Sequence, residues 1–261
     1  MTARIAAIYR YPVKGLSPEP LERVRLAVGE CLPQDRRFAV ALPTTQFDPA
    51  FPEWLSKTHF IMLMRDEKLA RLHTSFDSAS GELTIARPGA VTLRACLTDP
   101  AGCRDICDFL GDFLGDSVAR PLRVVEAPGH AFADARRKPN ATTGQYVSLI
   151  NLASIASLER VVAAPVDPLR FRANIYFEPA AEWSELDWIG SEITIGGTRL
   201  RVVSAITRCA ATEVNLDTAE RDIPVPAALQ RHFGHNLMGV YAEVAVGGDI
   251  SAGDVLTVRP V

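Results

Sequence analysis

The sequence predicts an α+β protein that is mainly β, with an N-terminal mixed β-domain followed by a C-terminal β-barrel that carries a few helices. Short apolar stretches rich in β-branched residues recur between turn residues, which is typical of antiparallel strands. In the last third of the chain these stretches flank glycine turns such as Gly196-Gly197 and Gly247-Gly248-Asp249. A closed barrel would leave such strands without exposed edges.

The composition argues against several classes of protein. The chain has 261 residues, 48% hydrophobic and 23% charged, which is typical of one large or two ordinary globular domains. A net charge of −3 argues against a surface for nucleic acid or anionic membranes. The chain shows no signal peptide and no apolar run long enough to span a membrane. The five cysteines are scattered and form no disulfide framework, so we expect a reduced, cytoplasmic protein. From the charge and the lack of a membrane span we expect no nucleic-acid or membrane partners.

Residues 1–127 are predicted to form the N-terminal domain. Strands are predicted at 4–11, 24–28, 39–42, 60–64, 68–73, 83–86, 91–95 and 122–126, with a short helix at 54–59. Between Cys103 and Leu114, apolar residues recur at helical spacing opposite aspartates, which predicts an amphipathic helix packed on a sheet. Pro12 ends the first strand, so Lys14 is expected just beyond it.

A basic linking loop is predicted over residues 128–144. This stretch has few large apolar residues and contains the run Arg136-Arg137-Lys138. Two interpretations remain open from the sequence. The loop is either a mobile surface connection between two domains, or a cationic lid over an anionic ligand.

Residues 145–261 are predicted to form the barrel domain. Strands are expected at 146–150, 171–177, 193–195, 200–206, 239–246 and 255–258, and helices at 152–162 and 226–232. Strand alternation within 171–177 would place Arg172, Asn174 and Tyr176 on one face, which is either exposed to water or the wall of a polar pocket. Asn151 at the start of a helix is either a cap or part of an anion site at the helix N-terminus.

Cys209 follows the predicted strand 200–206 and lies between Arg208 and Thr212. A thiol next to a guanidinium has the positive charge that favours a thiolate, which is a soft metal ligand and also a nucleophile. The competing interpretation is a small buried hydrophobic residue, as free cysteine often is. The pair Arg36-Arg37 before another strand is either a solvated edge or an anion-binding fork.

Several motifs follow one another in a characteristic order. They are Tyr11-Pro12-Val13-Lys14-Gly15, Asp35-Arg36-Arg37-Phe38, Asp167-Pro168-Leu169-Arg170-Phe171-Arg172-Ala173-Asn174-Ile175, Asp187-Trp188-Ile189-Gly190, Arg208-Cys209-Ala210-Ala211-Thr212, and Gly239-Val240-Tyr241-Ala242 with Gly253-Asp254. In this order they resemble a MOSC domain, named for the C-terminal domain of molybdenum cofactor sulfurase, preceded by the β-barrel domain that accompanies it. The resemblance covers nearly the whole chain.

The resemblance implies an enzyme similar to the amidoxime-reducing molybdoenzymes of this family. It assigns the catalytic metal ligand to Cys209, and the binding of the molybdenum-pterin cofactor to Lys14, Arg37, Asn151, Arg172, Asn174, Arg208 and Thr212. Lys14 and Arg37 would hold the pterin phosphate. The implied activity is an oxidoreductase that reduces N-hydroxylated small molecules. Its electrons would come from an external electron-transfer protein of the ferredoxin or flavin reductase type.

The sequence departs from the family pattern in two places, and two alternative functions remain open, of which the second rests on these departures. Lys14 is followed by Gly15 where family members often have serine, and the usual Thr-Ala-Arg-Gln segment is absent between Ala41 and Lys68. One alternative is a sulfur or molybdenum-cofactor carrier that uses Cys209 without turnover, although the chain has no room for the pyridoxal-dependent domain of cofactor sulfurases. The other is a degenerate barrel that binds no cofactor.

Overall fold

The computed structural model describes residues 1–87, 90–136, 142 and 144–259. The strands in these ranges are β1 (Thr2–Arg10), β2 (Glu19–Leu21), β3 (Arg23–Leu26), β4 (Phe38–Ala41), β5 (His73–Asp77), β6 (Glu82–Arg87), β7 (Ala90–Cys96), β8 (Arg123–Glu126), β9 (Val147–Asn151), β10 (Ile175–Glu178), β11 (Glu192–Ile195), β12 (Thr198–Thr207), β13 (Leu237–Val246), β14 (Gly248–Ser251) and β15 (Val255–Arg259). The α-helices are α1 (Pro100–Leu114), α2 (Leu152–Val162) and α3 (Val225–Phe233). The predicted mainly β, α+β fold class is therefore confirmed.

A closed barrel forms the larger of the β-structures. Within the described ranges its seven strands follow the order β10-β9-β13-β12-β11-β15-β1, and β1 pairs with β10 to close the ring. Only β9 and β10 are parallel neighbours in this ring. The barrel interior is apolar and includes Ile5, Leu149, Ile193 and Val240. Since β1 begins the chain, the N-terminal strand completes the barrel that the C-terminal sequence mostly builds.

The N-terminal sequence also contributes smaller sheets and one long helix. Strands β5, β6 and β7 form one sheet, and β4 pairs with β8 in another. The Asp99 side chain caps α1 by accepting from the Gly102 amide at 2.9 Å, and Pro100 suits the first turn because it lacks an amide proton. The apolar face of α1, with Ile106 and Leu110, packs into the second core. The domain bounds 1–127, 128–144 and 145–261 remain a prediction.

Most predicted elements are confirmed, but the elements predicted between β4 and β5 are wrong. The predicted strands 60–64 and 68–73 are replaced by an isolated bridge at Phe60 and by a 3-10 helix, Glu67–Arg71. The predicted helix 54–59 shortens to a 3-10 turn, Lys57–His59. Leu69 and Leu72 are buried three residues apart, a spacing that suits a 3-10 helix and not an alternating strand. The short strands β2, β5 and β14 were not predicted.

The predicted strand 171–177 is also wrong in its first half. Residues Pro168–Phe171 form a 3-10 helix, and Arg172 then takes a left-handed backbone conformation with φ of 53°. The strand begins only at Ile175. The alternation argument for the face of Arg172 therefore fails, because Arg172 lies outside the strand. None of the helices in the described ranges combines the length and the apolar character needed to cross a bilayer.

Candidate functional site

A cavity of about 510 Å³ lies between the end of β1, the segment that precedes β9, and the ends of β10 and β12. Six of the eight residues expected at the site line it, namely Lys14, Arg172, Asn174, Arg208, Cys209 and Thr212. The structure does not bring the other two, Arg37 and Asn151, to the cavity wall. Residues from distant parts of the sequence therefore meet where the motifs had placed a pocket.

Cys209 lies two residues beyond the end of β12 and is half-buried in the cavity wall. It precedes a 3-10 helix, Ala210–Glu213, whose first turn is closed by Thr212. The Thr212 hydroxyl and amide donate to the Cys209 carbonyl at 2.8 and 3.0 Å. Thr212 therefore fixes the backbone that presents the thiol.

The segment after Cys209 is held by a second arginine. Arg221 donates from Nη1 to the Ala210 carbonyl at 2.9 Å and from Nη2 to the Met64 carbonyl at 2.7 Å. Ion pairs of Arg221 with Glu67 and Glu213 add to this contact. Arg221 therefore connects the backbone segment that presents the thiol to the N-terminal part of the chain.

Lys57 is a basic residue at the thiol that the sequence did not reveal. It lines the same cavity as Cys209, and its ammonium lies 3.7 Å from Asp134 Oδ2. Desolvation lowers the pKa of Lys57, but Asp134 and Cys209 outweigh it and raise the pKa above its ordinary value. Lys57 lies in a 3-10 turn without hydrophobic periodicity, so no sequence pattern marked it.

Arg36 and Arg172 form a cationic wall around one aromatic ring. Their guanidinium carbons each lie 4.4 Å from the centroid of the fully buried Tyr11 ring, an arrangement that stabilises both charges. Arg36 also pairs with the buried carboxylate of Asp35 and donates to the Arg172 carbonyl at 2.7 Å. Desolvation lowers the pKa of Arg36, but Asp35 outweighs it, and the net pKa is raised.

Arg172 differs from Arg36 because it has no carboxylate partner among the residues that the structure describes. Desolvation lowers the pKa of its guanidinium, and the charge of Arg36 lowers it further. Tyr11, Asp134 and Asp35 offset only part of this lowering of the pKa, so an anion that enters the cavity would stabilise the Arg172 charge further.

Lys14 is deeply buried, and its ammonium is engaged by the segment before β9. It donates to the Phe132 carbonyl at 2.8 Å and forms an ion pair with Asp134. Burial lowers the pKa of Lys14 although Asp134 opposes that shift.

Part of the predicted basic loop is packed on the site: Phe132 is buried, and the Arg136 guanidinium stacks on Trp54 at 4.1 Å. Arg137 and Lys138 lie outside the described residues.

Asn174 and Arg208 line the cavity, but their hydrogen bonds also fix its frame. The Asn174 carbonyl oxygen accepts from the Ser148 amide and hydroxyl at 3.1 and 2.8 Å, and its amide donates to the Tyr9 carbonyl at 3.2 Å. Arg208 is buried and donates to the carbonyls of Phe171 and Met238. These side chains join β9 to β1 and hold the backbone on both sides of the thiol.

The structure places Arg37 and Asn151 outside the cavity wall, and their role in cofactor binding stays a prediction. Arg37 is not part of the cavity wall; it pairs with Glu126 at 2.5 Å and donates to Gln34 at 2.9 Å. Its neighbour Arg36 lines the cavity instead. Asn151 is the helix cap that the simpler interpretation expected, because its side chain accepts from the Ala153 amide at 3.1 Å.

Gly15 explains one departure from the family pattern. Its backbone has φ of 84°, and a Cβ at this position would lie 3.4 Å from the Ile61 carbonyl oxygen. A serine would therefore be strained in this conformation. The glycine belongs to the backbone geometry that follows Lys14.

Family models match both halves of the chain. The MOSC N-terminal beta barrel domain matches residues 2–115, and the MOSC domain matches residues 130–257. The chain therefore belongs to the MOSC-domain family, in which related proteins bind molybdenum cofactor. Among curated proteins, no sequence matches this chain.

Several solved structures are similar to this chain, and two of them are described here. The YUAD protein from Bacillus subtilis (APC1665) aligns over 99% of this chain and 96% of its own, with 13% identity and a TM-score of 0.49. YiiM from Geobacillus stearothermophilus aligns over 44% of this chain and 54% of its own, with 17% identity and a TM-score of 0.34.

Within the described residues, no three His, Cys, Asp or Glu side chains cluster closely enough to hold a metal ion by themselves.

Proposed function

We propose that this protein binds a molybdenum-pterin cofactor in the cavity and reduces N-hydroxylated compounds. The observation that carries the proposal is the meeting of two groups in one cavity. Cys209 presents a half-buried thiol, and Arg172 presents a guanidinium without a carboxylate partner among the described residues. A soft metal ligand and a cation without an ion-pair partner among the described residues together suit a metal-bearing anionic cofactor.

The residues present fit such a cofactor. Cys209 would supply the thiolate ligand to the metal, and Arg36 and Arg172 would face the anionic part of the pterin. Arg208 and Asn174 would act chiefly by holding the cavity walls through their backbone contacts. When bound, the cofactor would supply two-electron redox chemistry for removal of an oxygen atom, while the protein binds, orients and tunes it.

The chain's own groups define what the substrate meets. The outer part of the cavity carries the exposed Arg136, the half-buried Trp54 and Lys57, and the half-exposed Asp134. The inner part carries the buried Lys14 and Arg208. A small molecule would therefore approach past the Trp54–Arg136 stack toward Cys209. Electrons would come from a separate electron-transfer protein of the ferredoxin or flavin reductase type.

The test is the molybdenum and pterin content of protein purified from a host that makes the cofactor. We expect near-stoichiometric metal in the unaltered protein and its loss in Cys209→Ala. Cys31→Ala is the matched control, because Cys31 lines the same cavity. Burial raises the pKa of Cys31 to about 12, so it remains a neutral thiol and contributes no thiolate.

The outcome also separates the alternatives. Molybdenum in the unaltered protein and in Cys31→Ala, lost only in Cys209→Ala, supports the metal site and leads to assays of N-hydroxylated substrates with added reductases. Absence of molybdenum and pterin from all three proteins would overturn the proposal. Mass spectrometry for a persulfide on Cys209 would then distinguish a sulfur carrier from a barrel without cofactor.

A further inference from the structure

Arg136 lies in the outer part of the cavity, and an aromatic ring holds its guanidinium in place. It is the first residue of the basic run in the segment before β9, and it lines the same cavity as Cys209. Its guanidinium carbon lies 4.1 Å from the centroid of the Trp54 ring. A cation–π contact of this kind restricts the side chain before any ligand arrives, which reduces the entropy cost of binding. Arg136 is therefore a preorganised cation at the mouth of the cavity.

The contact with Trp54 leaves the hydrogen-bond donors of Arg136 available. Stacking uses the face of the guanidinium, whereas its five N–H groups point outward in the plane of the group. Among the residues that the structure describes, no carboxylate pairs with Arg136. The nearest carboxylate in sequence, Asp134, is engaged by Lys14 and Lys57 instead. The exposed guanidinium is thus open to an anionic group of a ligand.

The position of Arg136 separates it from the cationic wall of Arg36 and Arg172. Those two guanidinium groups flank the fully buried Tyr11 ring, whereas Arg136 is exposed. The wall is the part of the cavity that would face the anionic part of the pterin. Arg136 instead lies where a small molecule would enter, so its charge is available to the end of the substrate that stays farthest from Cys209.

We propose that Arg136 determines substrate specificity by binding a carboxylate of the substrate, and that Trp54 positions the guanidinium for this contact. The inference rests on the proposed function, whose substrate class it narrows to N-hydroxylated compounds that carry a carboxylate. A carboxylate matches the planar guanidinium fork and can accept two parallel hydrogen bonds from it. A phosphate dianion would call for a second unpaired cation, and the other cation of the outer cavity, Lys57, already faces Asp134.

Two probes of similar shape and different charge test this contact, namely 4-carboxybenzamidoxime and its neutral 4-carboxamide analogue. Each is titrated by calorimetry, without reductant, into protein purified from a host that makes the cofactor. We expect the carboxylate probe to bind about tenfold more tightly than the carboxamide, which corresponds to about 1.4 kcal/mol. Arg136→Gln should remove this preference and leave the affinity for the carboxamide unchanged. Arg104→Gln, an exposed arginine of α1 outside the cavity, is the matched control and should keep the preference.

The positioning role of Trp54 is tested by the same ratio of affinities, because a general loss of packing would weaken both probes alike. Trp54→Leu removes the aromatic face and should lower the preference for the carboxylate about threefold. Trp54→Phe keeps an aromatic face and should retain most of the preference. The indole N–H of Trp54 is buried and has no hydrogen-bond partner among the described residues, so phenylalanine removes no hydrogen bond.

Several outcomes would overturn the proposal. Equal affinities for the two probes, or no binding of either, would remove Arg136 from substrate recognition. A preference that survives Arg136→Gln and is lost in Arg172→Gln would also overturn it, since the carboxylate would then bind at the cationic wall. An unchanged preference in Trp54→Leu would show that Arg136 acts without its aromatic support.

Failure of this inference is distinguishable from failure of the proposed function. The probe affinities are measured without turnover, whereas the function is tested by the molybdenum content and its dependence on Cys209. A protein without molybdenum that prefers the carboxylate probe through Arg136 would retain the carboxylate site and lose the redox assignment. Molybdenum bound through Cys209, with equal affinities for the two probes, would retain the function and exclude Arg136 from substrate recognition.

Discussion

The Arg170 guanidinium binds both carboxylate oxygens of Asp222, with a distance of 2.7 Å for each hydrogen bond. Arg170 is buried at the 3-10 helix Pro168–Phe171, and its Nη1 also donates to the Glu213 carbonyl at 3.1 Å. Asp222 closes the loop that begins at Cys209. This bidentate pair therefore links the motif around Arg172 to the segment that presents the thiol.

Asp222→Asn should destabilise the protein by about 2 kcal/mol, because it leaves the buried Arg170 without its charge partner. The loss should depend on pH. Arg170 holds the pKa of Asp222 below the ordinary value of 3.8, so the pair stabilises the folded state above that pH and this contribution is lost as the pH falls through the lowered pKa. The measurement is the free energy of unfolding in urea at pH about 6 and about 3.

Asp217→Asn is the control for this experiment, since Asp217 is exposed in the same loop. The difference in stability between the unaltered protein and Asp222→Asn should shrink toward pH about 3, whereas Asp217→Asn should match the unaltered protein throughout. A difference that stays constant from pH 6 to 3 would show that the Asp222 carboxylate does not act through its charge.

The sequence predicted the fold best where the pattern was long and regular. Helix α2 has the predicted bounds, Leu152–Val162, because apolar residues recur at helical spacing and Asn151 caps it. The glycine turn between β11 and β12 is also confirmed. The prediction for residues 54–72 was wrong because their structure is a series of 3-10 turns, and such turns leave little periodicity in a sequence.

Part of the cavity lining could be predicted from the sequence, and the residues that could not be predicted share a physical cause. Cys209 and Arg172 line the cavity as expected, but a choice between Arg36 and Arg37 depends on the local backbone. Arg36 has φ of 50°, which turns adjacent side chains in directions that strand alternation does not describe. Lys57 and Asp134 lie in irregular segments 77 residues apart in sequence, and only the folded chain brings them together.

Two arginine variants test whether the cavity wall or Arg37 binds the cofactor. Arg172→Gln should reduce retention of the molybdenum-pterin cofactor, because it removes the cation without a carboxylate partner from the cavity wall. A lost charge-assisted contact corresponds to about ten- to hundredfold weaker binding. Arg37→Gln should leave retention unchanged, since Arg37 is engaged by Glu126 and Gln34 outside the cavity.

The measurement is the molybdenum and pterin content of each variant, with all variants purified in parallel. Thermal unfolding of each variant checks that it is folded. The Arg36 assignment predicts the same order of effects for Arg36→Gln as for Arg172→Gln. Retention that falls in Arg37→Gln but not in Arg36→Gln would restore the assignment made from the sequence motif and contradict the geometry of the cavity.

Gly239 lies where β13 passes closest to β9, and no side chain fits there. Its φ is 75°, and a Cβ would lie 2.5 Å from the Leu149 carbonyl oxygen, 2.6 Å from Ile150 Cγ1 and 3.2 Å from Arg208 Nη2. Gly239→Ala should destabilise the protein by about 2–4 kcal/mol, because backbone strain adds to a clash with a main-chain atom. The matched control is Gly197→Ala in the β11–β12 turn, where a Cβ meets nothing within 4 Å and φ is not left-handed.

The position of Gly239 beside Arg208 extends this prediction to the site. A shift of β13 that accommodates the alanine would press on Arg208, whose guanidinium donates to the Met238 and Phe171 carbonyls. Cys209 follows Arg208 directly in the sequence, so the thiol would move as well. Gly239→Ala should therefore lose molybdenum as well as thermal stability, whereas Gly197→Ala should lose neither. Full metal retention in a destabilised Gly239→Ala would show that the barrel absorbs the strain without moving the segment that presents the thiol.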